Sequence, residues 1–235
     1  MQNNIKIIIL VLAVSILFNA CFLLQINNLY SSIDDLDSTI AENKKNYDKE
    51  ISKLQSQYAN YLFLGDSITY YYDLNSYYED LPVINSGISG DTTEDILNDL
   101  TNRAYVYNPS KVFLLIGTND LNDDIEVDEV VSNIKEIITD INRNEPQAEI
   151  YVESIYPVNY NTNRRMVGSR NNEDITKINN SIKEYCDNNS YTYIDIYDLL
   201  SDEDGNLKEE YSGDGLHLNG DGYNVVTEAL KKYLD

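Results

Sequence analysis

From residue 61 to the end of the chain, short apolar runs alternate with longer stretches of helical spacing, and this alternation leaves few folds open. A short apolar run bounded by turn signals reads as a strand buried on both faces, which demands helices on both sides of its sheet. Such runs fall at 61–64, 83–85, 112–116, 149–154 and 192–194, and helical spacing falls at 93–103, 127–143, 172–188 and 219–234. Strands and helices in that order predict an α/β domain with a mostly parallel sheet over residues 60–235.

The part before it has a different pattern. Residues 7–24 form an almost uninterrupted apolar run, long enough to cross a bilayer as a helix, so residues 1–25 are expected to be a transmembrane anchor. Lys6 and the terminal amine precede the run while Asp34, Asp35 and Asp37 follow it, which places the amino terminus in the cytoplasm and everything later outside. Two rival readings are a cleaved signal peptide and a lipoprotein signal with Cys21 lipidated. The apolar continuation Phe22-Leu23-Leu24 favours an uncleaved anchor over both.

Residues 26–59 then read as a helical stalk. Ile26, Leu29, Ile33, Leu36 and Ile40 recur three and four apart, as a heptad seam does, and the seam weakens at Asn43 before a four-residue shift near Tyr47 and Ile51. A monomeric stalk and a homodimeric coiled coil both fit this pattern.

Composition excludes some functions. A net charge of -23 repels phosphate backbones, so no nucleic-acid partner is expected. Only two cysteines and one histidine are present, which leaves neither a disulfide framework nor a zinc cluster, and no metal or organic cofactor is expected. Asp202-Glu203-Asp204-Gly205-Asn206 lacks the glycine placement and closing glutamate of a calcium loop and reads as a turn.

In an open parallel sheet, ligands bind beyond the carboxyl ends of the strands, and three runs here end in polar clusters. They are Gly65-Asp66-Ser67, Asn85-Ser86-Gly87-Ile88-Ser89-Gly90 and Gly117-Thr118-Asn119-Asp120. A hydroxyl attacks poorly at neutral pH unless a base takes its proton, and the lone histidine, His217, is the only imidazole available. Asp214 stands three residues before it and can fix its tautomer, which gives a candidate triad of Ser67, Asp214 and His217. Ser67 is followed by Ile68-Thr69, so the nucleophile elbow of α/β-hydrolases is absent, and the glycine cluster lacks the lysine of a phosphate loop.

Four separated blocks, in order, resemble the SGNH or GDSL-type esterase and lipase family. They are Phe63-Leu64-Gly65-Asp66-Ser67-Ile68-Thr69, Asn85-Ser86-Gly87-Ile88-Ser89-Gly90-Asp91-Thr92, Gly117-Thr118-Asn119-Asp120 and Asp214-Gly215-Leu216-His217-Leu218. The resemblance implies a flavodoxin-like three-layer α/β/α sandwich and ester hydrolysis through an acyl-serine intermediate. It makes Ser67 the nucleophile, His217 the base and Asp214 its orienting partner. The oxyanion donors it implies are the main-chain amides of Ser67 and Gly90 and the side-chain amide of Asn119. Asp66, Asn85 and Asp120 are expected to brace their loops.

Substrate signals are weaker. Tyr70 and Tyr72, in the run Tyr70-Tyr71-Tyr72 after the nucleophile, are expected to line a wall for a sugar or acyl chain, with part of that run in the core. Arg164, Arg165 and Arg170 form a basic cluster that reads as a solvated loop or as a contact for an anionic group. The expected substrates are O-acyl esters, acetyl or short-chain, of cell-envelope carbohydrate or of lipid. An O-acyltransferase using the same triad and a non-catalytic anchored module are the rivals.

Overall fold

A computed structural model describes the backbone of residues 2–57 and 60–234 and the side chains of residues 14, 15, 17–47 and 60–234. The chain divides into two compact units, Met1–Gln57 and Tyr58–Asp235.

The first unit is one helix, α1 (Gln2–Gln57), so the expected anchor and stalk share a continuous backbone. Its seam residues Leu29, Ile33, Leu36 and Ile40 are exposed on the single chain. Among the described residues no helix is long and apolar enough to cross a membrane. The run at 7–24 has its first part outside the residues whose side chains are described, and so does the end of the seam at Ile51, Leu54 and Tyr58.

The second unit runs β1 (Tyr61–Gly65), α2 (Ser67–Tyr70), α3 (Leu74–Tyr77), β2 (Val83–Gly87), α4 (Thr93–Asn98), α5 (Leu100–Arg103), β3 (Lys111–Leu115) and α6 (Thr118–Asn122). It continues with α7 (Val127–Asn144), β4 (Glu149–Glu153), α8 (Arg164–Val167), α9 (Asn172–Asn189), β5 (Thr192–Ile194), α10 (Tyr197–Leu200) and α11 (Gly220–Leu230). The five strands form one sheet in the order β2-β1-β3-β4-β5, and every pairing is parallel. That order is the doubly wound flavodoxin-like arrangement, with its switch point between β1 and β3.

Successive strand residues point to opposite faces, and the core divides accordingly. Leu62, Leu64, Val112, Leu114, Ile150 and Val152 pack on the side of α4, α5, α7 and α9. Phe63, Phe113, Leu115 and Tyr151 pack on the other side with residues of α10 and α11. Both faces are covered, which is why the strands read as apolar runs without alternation. On α7 the buried residues Val130, Ile134, Ile137, Ile138 and Ile141 keep the three-and-four spacing. Cys186 is buried on the matching face of α9.

The helix expected at 93–103 is interrupted. It divides at Asp99, whose backbone leaves the helical region at φ -135°, into α4 and α5. The break re-aims α5 and lets Arg103 lie 95% buried against the ends of β1 and β2.

Candidate active site

The three strand-end clusters meet because β2, β1 and β3 are neighbours, and their carboxyl ends open on the same edge of the sheet. Ser67 is the first residue of α2, two residues past the end of β1. Asp66 caps that helix by accepting the Ile68 amide at 2.9 Å. Asn85 holds the helix from β2: its Nδ2 donates to the carbonyls of Thr69 and Tyr72, and its Oδ1 accepts from the Gly87 amide. The Gly87 main chain passes so close to α2 that a Cβ there would sit 2.3 Å from the Tyr70 nitrogen, so only glycine fits.

The histidine arrives from the far end of the chain, on the segment before α11. Ser67 Oγ lies 2.9 Å from His217 Nε2, and His217 Nδ1 lies 2.8 Å from Asp214 Oδ2. A carboxylate accepts only, so Nδ1 carries the proton and Nε2 keeps its lone pair for the serine hydroxyl. Asp214 is fixed in turn, its Oδ1 accepting from the amides of Leu216 at 2.9 Å and His217 at 2.8 Å. Burial pushes the Asp214 carboxyl up, but the bonds from the His217 ring and these two amides outweigh it and hold it below the ordinary value. Asp214 therefore stays ionised at neutral pH and favours the imidazolium that forms when Ser67 is deprotonated.

The three sequence-predicted triad residues are thus joined by hydrogen bonds. Of the three expected oxyanion donors, Ser67 and Asn119 stand in the first turns of α2 and α6 and Gly90 on the loop after β2. Ser67 is 4% exposed and Asn119 is 8% exposed, on α6 just beyond β3. Gly90 is exposed at the end of the β2 loop, with φ of +93° and nothing within 4 Å of where a Cβ would stand. Asn119 Nδ2 donates to the Asp91 carbonyl at 2.9 Å, which ties α6 to the Gly90 loop. Asp120 braces the same region by accepting from the Thr93 amide and hydroxyl, the latter at 2.5 Å.

Two arginines support these loops from beneath. Arg103 forms an ion pair with Asp91 and donates to the carbonyls of Gly65 and Ser86, at 2.9 and 2.5 Å, linking the ends of β1 and β2 to the Gly90 loop. Sequence reading passed over it, although a signal was there: Arg103 follows Ile96 and Leu100 at helical spacing and so falls on the apolar face of its stretch. Arg170 donates to Asn119 Oδ1 at 2.6 Å. The basic cluster is therefore divided, with Arg170 turned inward while Arg164 rests on the exposed Tyr160 ring.

The tyrosine wall is also rearranged. Tyr72 is 5% exposed, stacked on Tyr223 and bonded through its hydroxyl to Tyr78 and Thr227, so most of its ring belongs to the core. Tyr70 and Tyr71 are exposed, and the Tyr71 ring stands edge-on to the His217 ring at 5.3 Å. Tyr71, the middle ring of the run, is the one against the triad. A cavity of about 420 Å³ beside them is lined by Tyr70, Tyr71, Tyr72, Leu74 and Asn85 among others, but by no triad residue. Among the described residues no group of three or more His, Cys, Asp or Glu side chains could hold a metal ion.

Comparison with known proteins gives the same family as the motif blocks. The chain is 30% identical over 194 residues to an N-acylneuraminate cytidylyltransferase of Streptococcus agalactiae serotype V, covering 83% of this chain and 43% of that protein. It thus spans less than half the length of that relative. It is 28% identical over 178 residues to the human platelet-activating factor acetylhydrolase IB subunit alpha2, covering 74% of this chain and 75% of that one. A solved structure from Streptococcus pneumonia, described as a platelet activating factor, superposes with a TM-score of 0.71 at 35% identity, covering 84% of this chain and 99% of that one. The family model for GDSL-like lipases and acylhydrolases matches residues 63–225, from the strand before Ser67 to the helix after His217, and the chain belongs to that family.

Proposed function

We propose that this protein is a serine esterase that hydrolyses short O-acyl esters through an acyl-serine intermediate. The observation that carries the reading is the continuous bond chain from Ser67 Oγ through His217 to the Asp214 carboxylate. His217 Nε2 takes the Ser67 proton as Oγ attacks the ester carbonyl, and the imidazolium then gives that proton to the departing alcohol. Charge gathers on the carbonyl oxygen only in the tetrahedral state, where the amides of Ser67, Gly90 and Asn119 receive it. Water, deprotonated by the same imidazole, attacks the acyl-serine and releases the acid. The partly open rim around Gly90 and Tyr71 favours a small acyl group at the serine with the alcohol portion extending outward.

The apolar run at 7–24 and the acids that follow it support a single-pass anchor with the catalytic domain outside the cytoplasm. There, acetylated envelope carbohydrate is the accessible ester, and the α1 seam leaves room for a homodimeric stalk. The name of the human relative, an acetylhydrolase of platelet-activating factor, favours a second reading in which the acetyl group sits on a lipid.

The test is acetate release by the intact chain from an O-acetylated saccharide and from an acetylated lipid, each run beside Ser67→Ala. Release from the saccharide that disappears in the variant supports the first reading, and release from the lipid alone selects the second. Acyl transfer to an added saccharide in excess of hydrolysis identifies an acyltransferase. No turnover of either substrate by the folded protein refutes both esterase readings.

A further inference from the structure

We infer that Arg170 is a positioning residue for the oxyanion site, fixing the direction of the Asn119 amide and strengthening it as a donor. The inference rests on the proposed role of Asn119.

Arg170 stands between α8 and α9 and is 7% exposed. Its guanidinium bridges two elements. Nη1 donates to the carbonyls of Val167 and Met166, at 3.0 and 3.3 Å, and to Asn122 Oδ1 on α6 at 3.1 Å. Nη2 donates to Asn119 Oδ1, one turn earlier on α6, at 2.6 Å.

The chemistry of these partners settles the amide. A guanidinium has no acceptor and a carbonyl has no donor. Asn119 therefore presents Oδ1 to Arg170 and Nδ2 to the Asp91 carbonyl. Reversing the amide would set NH₂ against a guanidinium and oxygen against oxygen, losing two bonds in a buried place. Nδ2 has two hydrogens, and the Asp91 carbonyl takes one. The second remains for the ester oxygen. A charged donor on Oδ1 also draws density out of the amide and makes that remaining N–H a stronger donor. Arg170 reaches substrate only through Asn119.

The experiment compares Arg170→Met, Arg170→Lys, Asn119→Ala and the Arg170→Met/Asn119→Ala double variant of the intact chain, with p-nitrophenyl acetate as substrate and thermal melts to establish folding. Asn119→Ala should lower kcat on the order of 10²-fold. Arg170→Met should lower kcat about tenfold or more while KM stays within about threefold, and Arg170→Lys should recover part of the loss. In the Asn119→Ala background, Arg170→Met should change kcat by less than about threefold, because its target is gone. A full additive loss in that background, or wild-type kcat in Arg170→Met beside a disabled Asn119→Ala, overturns the inference and leaves the oxyanion reading standing. Wild-type kcat in Asn119→Ala overturns both. Should Arg170→Met fail to fold, Arg170→Lys in the two backgrounds makes the same comparison, and additivity there overturns the inference.

Discussion

Replacing Glu153 by glutamine should raise stability in a way that depends on pH. Glu153 ends β4, is 6% exposed, and its Oε2 accepts the Tyr156 hydroxyl at 2.6 Å. Burial pushes its carboxyl up from an ordinary 4.5 to about 7, with the Tyr156 bond opposing part of the rise. The folded chain therefore holds this proton more tightly than the unfolded chain does. Stability falls as pH rises from about 4.5 to about 7, and above that window the cost of the buried charge is fully present. At about 1.4 kcal/mol per pH unit, that cost reaches about 3 kcal/mol.

Glutamine keeps the volume and an acceptor for Tyr156 but cannot ionise. The advantage of Glu153→Gln over the parent should therefore grow by about 2–3 kcal/mol between pH 5 and pH 8. Urea unfolding at both pH values, followed by near-ultraviolet circular dichroism, measures it; with a slope of about 2 kcal/mol/M the midpoint difference widens by roughly 1 M. Asp66, whose carboxyl burial also pushes up to about 7, is present in both proteins and cancels. Equal midpoint differences at pH 5 and pH 8 would refute the argument, because Glu153 would then ionise as it does in water.

Other consequences follow from the site. Asp214→Asn removes the acceptor that keeps the proton on Nδ1, and kcat should fall on the order of 10³- to 10⁴-fold with KM little changed; a loss below about tenfold would remove Asp214 from the triad. Gly87→Ala forces a Cβ against the Tyr70 nitrogen and should destabilise the fold by about 1–3 kcal/mol while displacing Ser67, so a thermal melt equal to wild type would contradict the close approach. Tyr71→Ala strips the ring that stands against His217 and should raise KM for a saccharide ester more than for p-nitrophenyl acetate; equal changes would deny it a place in alcohol recognition.

Local chemistry was legible in the sequence because it is written locally. The five runs mark strands buried on both faces, and the clusters that end three of them identify the working edge of the sheet. Asp66 caps the Ile68 amide two residues on and Asn85 accepts from the Gly87 amide two residues on, so these bracing roles could be read locally, whereas the bonds from Asn85 to the Thr69 and Tyr72 carbonyls needed the fold. Three features depended on folding at a distance. The break at Asp99, which accompanies the bonds from Arg103 to the ends of β1 and β2, is not written in the continuous helical spacing of 93–103. Tyr70, Tyr71 and Tyr72 are chemically identical, and only the stacking of Tyr72 on Tyr223 of α11 and its bond to Thr227 decides which ring enters the core. Arg170 reads as one of three loop cations until α6 brings Asn119 and Asn122 to it, 51 and 48 residues away in sequence.

The most direct test of the central claim is covalent labelling of Ser67. An activated serine attacks a fluorophosphonate, whereas an ordinary serine does not. The intact protein should gain one phosphonyl group by mass spectrometry, mapped to the peptide carrying Ser67, with the reaction lost in Ser67→Ala and slowed on the order of 10²-fold or more in His217→Ala. Labelling that persists in Ser67→Ala, or a folded wild-type protein that takes up no label, would contradict the account.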